Sequence, residues 1–310
     1  MEIDGKVLEL IKKELGSGNV KISEPMKEHL TMKVGGPAAY FFTPHTKDEI
    51  KFLVKTLKEE KIPYYILGAG SNVLVKDGGF DGAIICLKEN FAGIEVLGEC
   101  PSCGKTLVRA EAGVLNKDFS NFLLEKSLSG FEFASGIPGS VGGGCCMNAG
   151  AYDGEFKNVI KEVVILDKDG EIKTLDVSEM DYGYRKSIAI DGGIVILEAV
   201  FTFLKDDKEK IQERIAELTK KREEKQPLEY PSCGSTFKRP EGNFAGKLIS
   251  DANLKGKMIG GAQVSEKHAG FIINKNNATA EDILELIEYV KGVVKEKSGV
   301  SLECEVRILG

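Results

Sequence analysis

Residues 134–152 read ASGIPGSVGGGCCMNAGAY: six of the nineteen are glycine, and the stretch carries almost none of the apolar periodicity that a helix or strand needs. Glycine loses more conformational entropy on folding than any other residue, so a dense run of it inside a globular chain marks backbone that must approach something closely. Successive exposed N–H groups form anion-binding concavities that a Cβ would obstruct, and phosphate is their usual occupant. A flexible linker is the alternative reading. Phe131, Phe133, Ile137, Val141 and Met147 argue against it, because a linker does not intersperse bulky apolar anchors.

A second glycine turn lies upstream. Residues 62–68, IPYYILG, predict a short apolar strand buried on both faces, which runs into Gly68, Ala69, Gly70, Ser71 and Asn72 and then into Val73-Leu74-Val75. A dinucleotide fingerprint of the Rossmann type needs a third glycine where Val73 stands, so that fold is disfavoured while a phosphate turn between two strands is kept. Residues 242–247, GNFAGK, fail as a Walker A loop, having three residues between the glycines and Leu248 where Ser or Thr is required. Before the turn, 31–44 predict a strand interrupted by Gly35, Gly36 and Pro37. Thr46 and Glu49 then form a capping box that opens a helix with Ile50, Leu53, Val54 and Leu57 on one stripe. The pattern is βαβ-like, with parallel pairing expected.

The 310 residues, 42% hydrophobic and 29% charged, fit one large or two ordinary domains. No stretch approaches the ~20 apolar residues of a membrane span. The N-terminus places Ile3, Val7, Leu10, Ile11 and Leu15 near helical spacing, an amphipathic helix in place of a signal peptide, so a cytoplasmic protein with no membrane partner is expected. A net charge of −6 disfavours general nucleic-acid binding and obliges small anionic ligands to find dedicated cations. Seven cysteines make a poor disulfide framework. Cys100 and Cys103 have half a zinc spacing and Cys233 lacks a sequence neighbour to complete it, so no metal is expected. Nothing in the sequence sets the oligomeric state.

Short strands dominate 83–203, with one helix near 118–126 and turns such as 167–170. The charged segment 205–225 keeps Ile211, Ile215 and Leu218 in helical phase and marks a boundary, giving domains 1–206 and 207–310. Near the end, a capped helix follows Thr279, with Ile283, Leu286, Ile287, Val290 and Val294 on one face. A final strand over 300–309 puts Glu303, Glu305 and Arg307 on one side and Cys304, Val306 and Ile308 on the other.

Three further segments carry chemistry-bearing side chains. In DYGYRKS, Arg185 follows Tyr182, Gly183 and Tyr184; a guanidinium holds carboxylates by paired hydrogen bonds, though a lone arginine is more often a surface residue. In GSTFK, Ser235 stands by a glycine and Lys238, with Lys225 and Arg239 adding positive charge; without context it is a turn. The row Glu303, Glu305, Arg307 reads equally as a functional set or a solvated strand face.

In order, TMKVGGPA, ILGAGSNVLV, SGIPGSVGG, MNAGAY, YGYRKS, GSTFKRP, GGAQVSEKHAGFIIN and LECEVRILG resemble one family, UDP-N-acetylenolpyruvoylglucosamine reductase, from about residue 31 to the end. The resemblance implies an α+β protein: a two-part FAD-binding half of the vanillyl-alcohol-oxidase type over 1–206, then a smaller α/β substrate-binding domain over 207–310 whose last strand returns to the active site. Residues 234–260 leave no room for the extra tyrosine loop of one family type, so the chain resembles the shorter type. Cys145 and Cys146 stand where alanine, valine or a bulky residue is usual.

What the resemblance implies for chemistry is specific. FAD, held non-covalently, would lie on Gly68, Ala69, Gly70, Ser71 and Asn72 and on Gly136, Ile137, Pro138, Gly139 and Ser140, with Asn148, Ala149, Gly150 and Ala151 near it. NADPH would reduce the flavin. The enol ether of enolpyruvyl-UDP-N-acetylglucosamine would then be reduced to UDP-N-acetylmuramate, a peptidoglycan precursor. Arg185 and a neutral Glu305 would stabilise the charge developing on the substrate carboxylate, and Ser235 would give the proton, assisted by Lys238 or water. Tyr184, Lys225, Lys238 and Arg239 would meet the UDP-sugar. Two alternatives stay open: another flavin oxidase of the same fold acting on a sugar or hydroxy acid, and a non-catalytic sugar-nucleotide-binding protein.

Overall fold

The computed structural model describes residues 2–101, 104–190 and 192–310, so Cys103 lies outside the described residues. It divides into two units. The first takes in the chain up to Lys21 with Tyr40–Ala69 and Gly82–Lys221; the second takes in Ile22–Ala39, Gly70–Asp81 and Arg222–Gly310. A single cut after residue 206 would assign 22–39 and 70–81 to the first domain, whereas by contact they belong to the second unit.

In the first unit Asp4 caps helix α1 (Gly5–Leu15) by accepting from the Lys6 N–H at 2.9 Å, and Ile11 and Leu15 are buried. Helix α2 (Lys47–Glu59) is capped by Thr46, whose hydroxyl accepts from the Glu49 N–H, while the Glu49 carboxylate accepts from the His45 N–H. Ile50, Leu53, Val54 and Leu57 are buried, as their spacing predicts. The strand after it, Tyr64–Leu67, pairs in parallel with Phe80–Cys86, as expected. It is not buried on both faces: only Leu67 is, and the other three residues are half-buried.

An antiparallel sheet forms the rest of this unit. Its order is Ile172–Asp176, Ile160–Leu166, Val195–Lys205, Thr106–Glu111 and Ile94–Glu99, with Leu128–Ser129 added beside the long strand. Helix α3 (Asn116–Glu125) packs Phe119 against Phe131 and Phe201 at centroid separations of 5.0 and 4.9 Å. Phe131 also meets Phe133 and Phe156 edge-on. Such edge-to-face pairs add about 0.5–1.5 kcal/mol each beyond area burial, which fixes the chain leading into the glycine stretch.

That stretch is not wholly irregular. Val141–Met147 forms a seven-residue helix, α4, which the glycine content had not suggested. Ser140 caps it, Asn148 ends it in the left-handed region at φ 43°, and Gly144 is there for closeness, since a Cβ would stand 2.2 Å from the Phe156 ring. Tertiary packing outweighs the weak helix propensity of three consecutive glycines.

Helix α5 (Lys208–Lys225) buries Ile211 and Leu218, and the division between the units falls inside it. In the second unit, α6 (Ala245–Asp251) and α7 (Ala280–Ser298) pack with the strands Met258–Ile259, Ala262–Val264 and Ile272–Asn274 around a core that includes Ile283, Leu286, Ile287, Val290 and Val294. Thr279 and Asp282 form a capping box on α7, and Asp77 accepts from the Ala280 and Glu281 N–H groups at 2.9 and 3.0 Å. The last strand is shorter than its alternation predicts. Only Arg307–Leu309 is strand, paired in parallel with Val73–Val75, while Cys304 makes a single bridge to Phe237. The chain bends at Val306, so Ile308 is 42% exposed and does not share the buried side of Val306.

Candidate active site

Two of the predicted glycine segments meet in the first unit. A Cβ on Gly68 would stand 2.2 Å from Ser140 Oγ, a separation that real side chains do not show, so only glycine lets the two turns approach this closely. The 136–140 loop is held from below by α3. The Asn116 N–H donates to Gly139 O at 3.0 Å, its side-chain Nδ2 donates to Ile137 O at 3.3 Å, and the Val141 N–H donates to Val114 O at 2.8 Å. Gly139 has φ 147°, outside the region that side chains readily occupy.

Farther along, Asn148 is buried and its amide is fully used. Nδ2 donates to Glu155 Oε2 at 3.1 Å and to Gly183 O at 3.0 Å, and Oδ1 accepts from the Lys157 N–H at 3.0 Å. Asn148 thus joins the MNAGAY segment to the backbone just before Arg185. Arg185 itself adopts φ 52° and lies with its guanidinium carbon 5.0 Å from the Tyr184 ring centroid. The Glu155 carboxyl is held below its usual range, chiefly by its hydrogen bond to Lys157, with Asn148 and the Arg185 charge contributing. Burial pushes the Cys145 thiol well above the usual thiol range, so it is not a thiolate nucleophile here.

In the second unit the serine and glutamate segments lie side by side. Thr236, 2% exposed, is pinned three ways: its N–H donates to Gly270 O at 2.8 Å, its hydroxyl accepts from the Ile272 N–H at 3.1 Å, and its carbonyl accepts from the Glu305 N–H at 2.8 Å. Ser235, the residue before it, is presented at the surface. The Lys238 N–H donates to Glu303 O at 2.9 Å, and the two side chains form an ion pair. The turn 70–72 joins the same cluster, for Asn72 Nδ2 donates to Glu305 O at 3.1 Å and Asn72 O accepts from the Arg307 N–H at 3.0 Å.

The predicted residues therefore fall into two groups. Gly68, Ala69, Gly136, Ile137, Pro138, Gly139, Ser140, Asn148, Ala149, Gly150, Ala151, Tyr184 and Arg185 belong to the first unit; Gly70, Ser71, Asn72, Ser235, Lys238, Arg239 and Glu305 belong to the second, as does Lys225 at the end of α5. Lys238 is engaged by Glu303, and Arg239 stacks on Phe244 at 4.6 Å. Three contributors escape a reading of the sequence. Asn116 supports the glycine loop, Thr31 donates its hydroxyl to Ser232 O at 2.7 Å, and Cys304 lies beside the buried Cys233. Each acts across 20 to more than 200 residues of chain, so no local pattern betrays it.

The residues present suit a phosphate-bearing cofactor. Gly68 brings its backbone against Ser140, and Asn116 Oδ1, in a residue 1% exposed, has no hydrogen-bond partner among the described residues.

Residues 38–176 match the family model of an FAD binding domain, and a VAO-type flavoprotein from Myceliophthora thermophila shares the fold over 66% of this chain and 48% of its own, at 12% identity and a TM-score of 0.52. These matches define an α+β protein with an FAD-binding domain of the vanillyl-alcohol-oxidase fold. Residues 226–309 match the C-terminal domain of UDP-N-acetylenolpyruvoylglucosamine reductase. A reductase of that name from Clostridium botulinum (strain Alaska E43 / Type E3) is 55% identical over 92% of this chain and 91% of its own, and one from Clostridium beijerinckii is 50% identical over 99% and 98%. The crystal structure of the Thermus caldophilus enzyme superposes with a TM-score of 0.78 at 33% identity, covering 94% of this chain and 98% of that one. The chain belongs to the UDP-N-acetylenolpyruvoylglucosamine reductase family.

Proposed function

We propose that the protein reduces enolpyruvyl-UDP-N-acetylglucosamine to UDP-N-acetylmuramate with electrons from NADPH, in the cytoplasm, as a step in making peptidoglycan precursor. The observation that carries this reading is the pairing of Thr236 with Glu305 through a 2.8 Å backbone hydrogen bond, which sets Ser235 and Glu305 on adjacent segments of one unit. In this reading 1–206 binds the cofactor and 207–310 the sugar nucleotide, with 70–72 contributing to both roles.

FAD, when bound, supplies the hydride chemistry that no side chain possesses. The backbone of Gly68, Ala69, Gly70, Ser71, Asn72, Gly136, Gly139 and Ser140 would hold its phosphates, where N–H groups favour an anion and the glycines let it approach, while Ile137, whose N–H is bonded to Ala134 O, would line the loop. Pro138, having no N–H, fixes the loop's bend and leaves donation to its neighbours. Arg185 holds the substrate carboxylate and stabilises the negative charge that grows there as the double bond is reduced. Glu305 is the second side chain assigned to the same group. Ser235 Oγ gives its proton to the carbon next to the carboxylate. Lys225, Arg239 and Tyr184 contact the UDP portion, while Lys238 orients the serine segment through Glu303.

The test is consumption of NADPH by the purified, flavin-loaded protein. It should depend on enolpyruvyl-UDP-N-acetylglucosamine and proceed without oxygen uptake. Oxygen uptake with a sugar or hydroxy acid, and none of the first activity, would replace this reading with that of an oxidase.

A further inference from the structure

The glycine loop 136–140 has two kinds of backbone group, and one residue outside it deals with both kinds. Asn116 donates twice, from its backbone to Gly139 O and from its side chain to Ile137 O. The Leu115–Ser140 bridge beside it adds the bond from the Val141 N–H to Val114 O. With alternate carbonyls drawn toward α3, the N–H groups of Gly139 and Ser140 make no backbone hydrogen bond among the described residues. The Ile137 N–H, by contrast, is spent on Ala134 O at 3.0 Å. Two adjacent N–H groups left over by this arrangement are the donors that an anion nest requires.

Asn116 is costly if its task is only to fill space. It is 1% exposed, and its Oδ1 has no partner among the described residues, so the amide brings an unsatisfied acceptor into the interior where leucine would bring none. What the amide adds over leucine is the bond from Nδ2 to Ile137 O. From this geometry we infer that Asn116 is a positioning residue for cofactor binding: its backbone N–H, holding Gly139 O, turns the Ser140 N–H of the same peptide away from α3, and its side chain, holding Ile137 O, fixes the turn at Pro138 from which the Gly139 N–H follows, so that both N–H groups are set for the phosphates of FAD. The inference rests on the reading that this loop holds those phosphates.

The test compares FAD with riboflavin, which has the flavin ring and ribityl chain but no phosphate. Affinities of the apoprotein for each are followed by quenching of flavin fluorescence in the wild type, Asn116→Leu, Asn116→Ala and Gly139→Val. Losing one well-made hydrogen bond should weaken FAD by about tenfold in Asn116→Leu. Riboflavin affinity should be unchanged, and thermal melting of the apoprotein should be no lower than in the wild type. Equal weakening of both ligands, or unchanged FAD affinity, overturns the inference. If Asn116→Leu does not fold, Asn116→Ala, which adds no bulk, is judged by the same FAD-to-riboflavin ratio. Gly139→Val separates the two levels of argument. FAD lost in Gly139→Val but kept in both Asn116 variants rejects the role of Asn116 alone, whereas FAD kept in all three rejects the loop as the phosphate site.

Discussion

Asn72 and Glu305, 233 residues apart in the chain, are joined by a 3.1 Å hydrogen bond from the asparagine amide to the glutamate carbonyl. The bond ties the turn proposed to hold cofactor to the main chain of the residue whose carboxyl is proposed to act on the substrate. Asn72→Ala removes the amide and keeps the backbone bond to Arg307, so it should cost about 1 kcal/mol of stability by urea unfolding. It should also slow the step that involves Glu305 while flavin reduction by NADPH keeps its rate. Equal slowing of both half-reactions would show that the bond does not serve Glu305.

Ser235→Ala should bind FAD and accept electrons from NADPH at the wild-type rate, yet fail in turnover. A general acid contributes ~10²–10⁴-fold, and the loss should appear wholly in reoxidation of the reduced flavin by substrate. Stopped-flow measurement of each half-reaction checks this; a comparable drop in flavin reduction would remove serine from the proton-donor role.

Arg185 and Glu305 are expected to act on turnover more than on binding, each truncation costing ~10²–10³ in rate. Arg185→Lys keeps the charge, loses the planar fork, and should recover only part of that. Glu305→Gln keeps a donor but cannot ionise. If Glu305 works as a neutral donor, Gln retains much more activity than Ala, whereas equal losses would mean that proton transfer or the negative charge is required.

Gly139→Val forces a β-branched residue to φ 147° in the loop proposed to hold phosphate. The variant should purify without flavin colour while keeping most of the far-ultraviolet circular dichroism of the wild type. A full complement of FAD would contradict the loop's role.

His268 offers a pH test of the segment that positions Thr236. Its Nδ1 accepts from the Gly270 N–H at 3.1 Å, and burial, with the Lys255 charge adding to it, holds the imidazole below its usual value of 6.5. The unfolded chain then takes up the proton more readily than the folded one. Stability is undiminished above pH 6.5 and falls as the pH drops through 6.5 toward the lower folded value, below which the loss levels off. Urea midpoints of the wild type and His268→Gln between pH 5 and 8 should diverge in slope below 6.5, with only the wild type carrying this contribution.

Much of this protein was legible where its physics is local. The stripes of α2 and α7 and the Thr46 and Thr279 caps follow from spacing and side-chain chemistry within a turn or two. The glycine helix α4 was hidden because packing of Gly142 on Ala112 and Gly144 on Phe156 overrides propensity. The shortened last strand was hidden for a related reason: alternation predicts facing only if the chain stays straight, and it bends at Val306. The roles of Ser235, Arg185 and Glu305 came from resemblance, since their residue types alone fit a turn, a surface arginine or a solvated strand.

The parallel pairing of Val73–Val75 with Arg307–Leu309 has a consequence for how the protein is made. A ribosome that has just emitted the first of these strands must synthesise more than 200 further residues before its partner exists. Long-range parallel pairing of this kind is slow and leaves an unpaired strand open to wrong associations meanwhile. The Cys145-containing core of the first unit draws on chain that emerges much earlier, so it should consolidate before the second unit can. Substituting proline at Arg307, which removes the donor to Asn72 O from this pairing, should accordingly yield a chain that aggregates on expression.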